Sequence, residues 1–236
     1  MILLNYYIGM TEKQEIFTLV GGRVKMHRGH YNPTSDAVWL AAFAPTSNAK
    51  TVLDVGIGTG GVSLCMLSHN PDLAITGLDT SEQMLTACKQ NAELNGCALE
   101  LIHDDITTWR TNRTFDIVVS NPPYFRGNPA AHNAHHNADL PTWVRRCVAR
   151  TKPNGYCCII SDATTLDTIV SNMTHACGDI IIIPLFGAKD TAERVLIRGR
   201  VGSHTGTTLH RGLPMNHTPI LRDGLTIADV LSKLLP

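Results

Sequence analysis

The chain has 236 residues, 43% of them hydrophobic and 17% charged, which suits one substantial hydrophobic core and is too short for two large domains. Its 20 basic and 20 acidic residues balance, so the whole chain lacks the basic excess typical of a dedicated nucleic-acid-binding module. Seven scattered cysteines without a CxxC pair argue against a disulfide framework and a cysteine zinc site, and they favour a reducing, cytoplasmic environment.

Residues 1–16 are predicted to be an N-terminal extension to a single domain over 17–236, with a core over 51–201 and a basic tail over 202–236. The opening MILLNYYIG is apolar, but it is far shorter than a membrane span of about 20 residues and lacks the features of a signal peptide. Met10 is an alternative start. We therefore expect no membrane segment.

Apolar runs alternate with amphipathic stretches along the rest of the chain. A capped helix is predicted over 36–43. From residue 51, strands are predicted over 51–55, 74–79, 99–103, 115–120, 156–161, 179–185 and 194–201. Helices are predicted over 61–69, 81–95, 140–151 and 164–176, with a last short helix over 226–235. Repeated strand–helix units of this kind predict an α/β fold with a largely parallel sheet.

The first of these strands, TVLDV, runs into the glycine-rich turn GIGTGG. Gly56, Gly58 and Gly60 let the backbone turn tightly and approach a ligand closely. Asp79 ends the second strand, about 20 residues further on, where an acid can accept both hydroxyl groups of a ribose. Asp54, just before the turn, would repel a phosphate and suits a cofactor with a cationic amino group. These features favour S-adenosylmethionine over a dinucleotide.

Asp105, in LIHDDI after the third strand, is placed to bond the amine of a cofactor adenine, although a helix cap or turn would explain Asp104 and Asp105 equally well. The cofactor residues are thus predicted to be Asp54, Gly56, Gly58, Gly60, Asp79, Asp105 and also Asn121.

Asn121, Pro122, Pro123 and Tyr124 follow the fourth strand and are the predicted catalytic residues. Two prolines at a strand end fix the backbone rigidly. An aromatic or amide nitrogen is a poor nucleophile, so an enzyme gains by accepting hydrogen bonds from its N–H groups, here through the Asn121 side chain and the Pro122 carbonyl. Tyr124 offers a ring on which a planar acceptor can stack. The tetrad therefore predicts methyl transfer to an amine.

The order VLDVGIGTG, GLD, HDDI and SNPPY resembles class I methyltransferases of the amino-methylating branch. FTLVGGRVKMHRGHYNPTSDAVWLAAFAP before the core and RVLIRGRVGS after it resemble the bacterial tRNA1(Val) adenine-37 N(6)-methyltransferases, a resemblance that covers nearly everything from Phe17 onward. It implies a Rossmann-like sheet of about seven mostly parallel strands with helices on both faces. It also implies S-adenosylmethionine as cofactor, an adenine amine in a tRNA loop as acceptor, no metal, and a monomer or homodimer.

One segment departs from that family. The stretch that usually reads close to GTDG or AxDP is Thr34-Ser35-Asp36-Ala37 here, so Thr34 and Asp36 are carried over only weakly, as neighbours of the cofactor.

The polar stretch 125–139 is the one long predicted loop, and it contains His132, His135 and His136. No carboxylate motif accompanies these histidines, so we expect a loop that closes on the base rather than a metal site. Trp39, Trp109 and Trp143 lie in or beside amphipathic stretches and are predicted to pack in the core or at an interface.

Two segments carry basic residues and no acid. Between positions 15 and 36 there are three basic residues, and between positions 193 and 223 there are five. Solvated loops would explain them, but under the methyltransferase interpretation they predict an RNA-phosphate surface flanking the pocket. The residues are Arg23, Lys25, Arg28, Arg194, Arg198, Arg200, Arg211 and Arg222.

Several alternatives remain open. Enzymes with NPPY also methylate a glutamine amide of release factors, although those usually carry a helical N-terminal domain that the 50 residues before Thr51 cannot supply. Guanine methylation of ribosomal RNA and adenine methylation of DNA are further options, the latter without an evident target-recognition domain. A non-catalytic binding module on a degenerate methyltransferase fold is a different class of hypothesis, and the intact Asp79 and NPPY argue against it.

Overall fold

A computed structural model describes residues 15–29, 31–123 and 140–232. It begins with a hairpin of β1 (Ile16–Leu19) and β2 (Val24–His27), joined by a tight turn in which Gly21 has φ 60°. No pattern in the sequence predicted this hairpin. Val24 and Met26 are buried on one side of β2, where they join the core beneath α1 (Ser35–Phe43).

The remaining elements follow the predicted alternation. In chain order they are β3 (Thr51–Val55), α2 (Gly61–His69), β4 (Ala74–Asp79), α3 (Glu82–Leu94), β5 (Glu100–His103), β6 (Phe115–Ser120), α4 (Leu140–Ala149), β7 (Thr151–Asp162), α5 (Leu166–Met173), β8 (Cys177–Phe186), β9 (Arg194–Val201), β10 (Thr208–Leu209), β11 (Leu213–Pro214), α6 (Thr218–Leu221) and α7 (Ile227–Ser232).

The main sheet has nine strands in the order β10-β8-β9-β7-β6-β3-β4-β5, with β11 paired to β8. Only β9 runs antiparallel to its neighbours, β7 and β8; the other pairings are parallel. The predicted α/β fold with a mostly parallel sheet is thus confirmed. The seven predicted strands correspond to β3 through β9, and the two additional strands have two residues each.

Helices cover both faces of the sheet because neighbouring strand residues alternate between two cores. Val52 joins the core beneath α1, α2, α6 and α7, whereas Leu53 joins the core beneath α4 and α5. Cys157 and Cys158 divide in the same way, and both are fully buried. Among the described residues, no helix is long and apolar enough to cross a membrane.

Element boundaries differ from the predictions where tertiary pairing takes over. The helix expected over 140–151 ends at Ala149, because Thr151 already pairs with Phe115 as the first residue of β7. The helix expected over 164–176 is a short 3-10 turn followed by α5, which ends at Met173. These are shifts of ends and not of element type.

Candidate active site

The glycine turn lies at the carboxyl end of β3 and takes the backbone into α2. Gly56, Gly58 and Gly60 have φ values of 74°, 54° and 89°, a region that L side chains rarely adopt. Gly56 and Gly58 line a cavity of about 420 Å³. Gly60 does not line it; a Cβ there would come within 2.8 Å of the Cys88 sulfur on α3, so this glycine is required by packing.

Asp79, at the end of β4, holds the turn in place. One carboxylate oxygen accepts the Gly58 backbone N–H at 2.8 Å, and the other accepts the Ser81 N–H at 2.9 Å. The backbone N–H of Gly56 donates to the carbonyl of Leu78 at 2.8 Å, which fastens the same two strand ends together. Asp79 therefore faces the cavity from a fixed position.

Asp54 lies behind the turn and does not line the cavity. Its side chain is buried and accepts a hydrogen bond from the Ser63 hydroxyl at 2.7 Å. Burial raises the pKa of Asp54 to about 7; the Ser63 hydrogen bond opposes this rise, and the nearby charge of Asp79 adds to it. The structure thus does not bring Asp54 into the direct cofactor contact that the sequence analysis expected.

Asp104 and Asp105 line the side of the cavity formed by the end of β5. The Asp105 carboxylate accepts the backbone N–H and the hydroxyl of Thr107, both at 2.8 Å. The turn-capping role considered for Asp105 is therefore present, and the residue also faces the cavity.

Asn121, Pro122 and Pro123 follow β6 and form the end of the cavity next to the glycine turn. Parallel strands place their carboxyl ends at one edge of the sheet, which is why motifs 65 residues apart meet here. Tyr124 lies outside the described residues, as do His132, His135 and His136. Among the residues that are described, no cluster of three or more histidines, cysteines or acids could hold a metal.

Two aromatic residues of the cavity were missed by the sequence analysis. Trp143 of α4 was predicted to pack in the core, and it does so, but its indole also lines the cavity and donates to the Ser120 hydroxyl at 2.9 Å. Tyr31, which is 50% exposed, forms part of the opposite wall near Gly58. The only available signal for Tyr31 was an aromatic residue just before the Asn-Pro that precedes a capped helix.

Thr34 lies beside the site, whereas Asp36 is buried in an ion pair. Thr34 caps α1 and lines a small crevice with Gly56, Gly58 and Asn121, so it is a neighbour of the site. Asp36 is buried in an ion pair with Arg194, whose Nε lies 3.0 Å from an Asp36 carboxylate oxygen. Its position stabilises the fold beside the site.

The two basic segments do not form one surface around the cavity. The Arg198 guanidinium stacks between the rings of Phe43 and Tyr156, at 5.2 and 5.3 Å from their centroids. Arg200 pairs in register with Tyr156 and donates to the carbonyl of Asn154, near the amino end of β7 and away from the cavity. Arg198 pairs with Cys158 in the middle of β7, and Arg200 lies nearer the amino end of that strand. The structure thus does not place Arg200 beside the cavity, and an RNA-phosphate role for the two arginines stays a prediction.

The mostly parallel sheet with one antiparallel strand, β9, between β7 and β8, the glycine turn after β3 and the Asn-Pro-Pro turn after β6 are features of the class I methyltransferase fold. The methyltransferase small domain family matches residues 34–172, and the chain belongs to this family. In solved structures, the fold matches a predicted O-methyltransferase from Agrobacterium tumefaciens, with a TM-score of 0.64, 21% identity and coverage of 76% of this chain and 86% of that chain. A Listeria monocytogenes structure assigned to the class I S-adenosylmethionine-dependent methyltransferases matches with a TM-score of 0.60, 16% identity and coverage of 87% and 73%.

Similar curated proteins carry two different names. A tRNA1(Val) (adenine(37)-N6)-methyltransferase from a Flavobacteriaceae bacterium is 37% identical over 113 residues, which cover 47% of this chain and 49% of that protein. A release factor glutamine methyltransferase from Lactococcus lactis is 30% identical over 120 residues, which cover 51% and 43%. The chain spans about half the length of the curated relatives it matches.

Proposed function

We propose that the chain is an S-adenosylmethionine-dependent methyltransferase that methylates the exocyclic amine of an adenine in cytoplasmic tRNA. The observation that carries this proposal is a single cavity lined by the glycine turn, by Asp79 and, next to the turn, by Asn121 with its two prolines. Relatives named as tRNA adenine N6-methyltransferases support the choice of acceptor.

The cavity fits the cofactor. Its volume of about 420 Å³ lies within the range of small-molecule sites, about 300–1,000 Å³. The carboxylate oxygens of Asp79 can each accept a further hydrogen bond, which suits two ribose hydroxyls, while Leu78, Met84 and Ile106 supply apolar walls for an adenine. Bound there, S-adenosylmethionine would supply a methyl group on a cationic sulfur.

Asp54 would act on the cofactor electrostatically, without lining the cavity. It lies directly beneath the turn that faces the cavity, so a cationic amino group bound above the turn would favour its ionised form. We therefore assign it a positioning and electrostatic role.

The residues at the acceptor end of the cavity would act by orienting the amine that receives the methyl group. The Asn121 side-chain oxygen and the Pro122 carbonyl would accept hydrogen bonds from the amine, which leaves the nitrogen lone pair aimed at the methyl group. The nitrogen–carbon bond forms as the sulfur–carbon bond breaks, and the proton leaves only after the nitrogen has become cationic, so no base is required beforehand. Tyr124 would stack on a base that is unstacked from a tRNA loop.

The rival acceptor is a glutamine amide of a release factor, a reading favoured by the similarity to the Lactococcus lactis protein. An amide and an adenine amine present the same pair of N–H groups to Asn121 and Pro122, so these residues do not separate the two acceptors.

The test is incubation with methyl-labelled S-adenosylmethionine and separate pools of tRNA, ribosomal RNA, DNA and release factor, followed by nucleoside analysis. We expect label in tRNA alone, recovered as N6-methyladenosine. Label in the release factor would establish the rival acceptor. Cofactor binding in calorimetry without transfer to any pool would instead indicate a non-catalytic binding module.

A further inference from the structure

A second cavity, of about 310 Å³, adjoins the one already described. Tyr31 and Met84 line both cavities and form the wall between them. The second cavity lies between α3 and the segment that leaves β2. Thr59 of the glycine turn is part of its lining; the other lining residues belong to none of the motifs considered so far.

One face of α3 is turned towards this cavity. Gln83, Thr86, Ala87 and Gln90 line it, at positions i, i+3, i+4 and i+7 of the helix. The opposite side of α3 buries Leu85, Cys88 and Ala92 in the protein. A helix face that carries two glutamine amides and a hydroxyl therefore remains available to a ligand.

Two buried polar atoms in the cavity lining lack a hydrogen-bond partner within the described part of the chain: Nδ1 of His27 and the hydroxyl oxygen of Thr59. Such atoms are uncommon in folded proteins because each one forfeits its hydrogen bonds to water. The neighbouring Asn91 amide bonds to backbone instead: it accepts the His27 backbone N–H and donates to the Thr59 carbonyl, both at 2.9 Å.

The chemistry of the lining indicates a neutral, planar ligand. Among the described residues that line the cavity there is no carboxylate, lysine or arginine, so this part of the lining offers a phosphate no fixed charge. The exposed Lys25 lies two residues before His27 on the same side of β2, which places a cation beside the cavity and outside it. A nucleobase inside the cavity and a phosphate outside it, near Lys25, would match this distribution of charge.

We propose that this second cavity binds a nucleobase of the RNA chain adjacent to the methyl-accepting adenine, stacked against Tyr31 and hydrogen-bonded by Gln83, Gln90 and Thr59. The inference rests on the proposed function, in that RNA is the substrate. It adds a determinant of sequence context, at a place separate from the acceptor turn.

The test measures binding of short single-stranded RNAs by fluorescence anisotropy, with S-adenosylhomocysteine present. One RNA is intact around a central adenine, and two others lack the base on its 5′ or 3′ side. We compare the wild type with the double variant Gln83→Ala/Gln90→Ala. The control is Glu93→Gln, an exposed residue of α3 that does not line the cavity.

We expect the wild type to bind the intact RNA at least about fivefold more tightly than one of the two abasic RNAs, as the loss of one stacked base implies. The double variant should lose this ratio and still bind S-adenosylhomocysteine, which shows that it is folded. Glu93→Gln should keep the ratio, because the loss of one acid affects all three RNAs equally.

Equal ratios in the wild type and the double variant would overturn the proposal, as would a wild type that does not distinguish the three RNAs. Methylation of the intact RNA is measured in parallel. If methylation is retained while the second cavity shows no effect on base binding, only the proposal for this cavity is overturned and the proposed function is not. If the variant weakens binding of a glutamine-containing release-factor peptide and not of RNA, the assignment to a nucleobase is wrong.

Discussion

Asp54 combines deep burial with an acidic side chain, and its pKa rises from 3.8 to about 7 as a result. A raised folded-state pKa means that the folded protein holds a proton that the unfolded chain has released. Between about pH 4 and pH 7 this group therefore makes the protein less stable as the pH rises, by at most about 1.4 kcal/mol per pH unit. Below and above that window its contribution is constant.

We predict that Asp54→Asn raises the melting temperature relative to the wild type, with a larger difference at pH 8 than at pH 5. Asparagine can still accept the Ser63 hydroxyl and carries no charge to bury. Thermal denaturation followed by circular dichroism from pH 5 to pH 8 measures this difference. The exposed Asp72→Asn serves as the control; if both variants gave pH-independent differences, burial would not be controlling Asp54.

Asn121→Ala is predicted to lower the rate of methyl transfer by about 10²–10³-fold, the usual loss when one preorganised hydrogen-bonding group is removed from a reacting centre. Cofactor affinity should stay within about threefold of the wild type, because Asp79 and the glycine turn remain. Single-turnover assays with labelled cofactor, paired with calorimetry, separate the two effects. Full retained transfer would contradict the role proposed for Asn121.

At the scale of single residues, the sequence predicted the parts of the site that follow strand ends. Gly56, Gly58, Asp79 and Asn121 were found because a parallel sheet brings its carboxyl ends together. For Trp143 the sequence predicted packing in the core but not its contribution to the cavity lining. No local pattern distinguishes such a residue from an ordinary core tryptophan.

Among the elements, β9 shows that a hydrophobic pattern can predict a strand without predicting the strand's direction in the sheet. Its apolar run predicted a strand correctly, but its direction depends on pairing with β7 and β8, which periodicity does not encode. That direction decides where its arginines lie. Arg194 reaches Asp36 and also Asp162 at the carboxyl end of β7, whereas Arg200 lies nearer the amino end of that strand.

Arg194→Met is predicted to lower the free energy of unfolding by about 3–5 kcal/mol, because it removes a cation that pairs with the buried carboxylates of Asp36 and Asp162. Arg200→Met should cost no more than about 1 kcal/mol, since its contacts are more exposed. Urea denaturation of both variants gives the comparison. Equal losses would show that the ion pair does not stabilise the fold as its burial implies.

For the molecule as a whole, cofactor binding should be visible as stability. A ligand at 100 times its Kd stabilises the native state by about 2.7 kcal/mol. In a chain of this size, that corresponds to a rise in melting temperature of about 5–10 °C. We expect this rise with S-adenosylmethionine and not with NAD, measured by scanning calorimetry.

Asp79→Asn should reduce the rise to less than half, because the variant replaces the carboxylate that holds Gly58 and Ser81. An unchanged rise in this variant would show that the cofactor binds elsewhere.

The hairpin at the start of the described chain depends on partners far along it. The backbone N–H of His27 bonds to Asn91, 64 residues later, and the Arg23 guanidinium bonds to the carbonyl of Asp223, 200 residues later. During synthesis on the ribosome, this segment emerges early but must wait for almost the entire polypeptide before it can settle. The wall that Tyr31 contributes is therefore expected to be one of the last parts of the nascent protein to be completed.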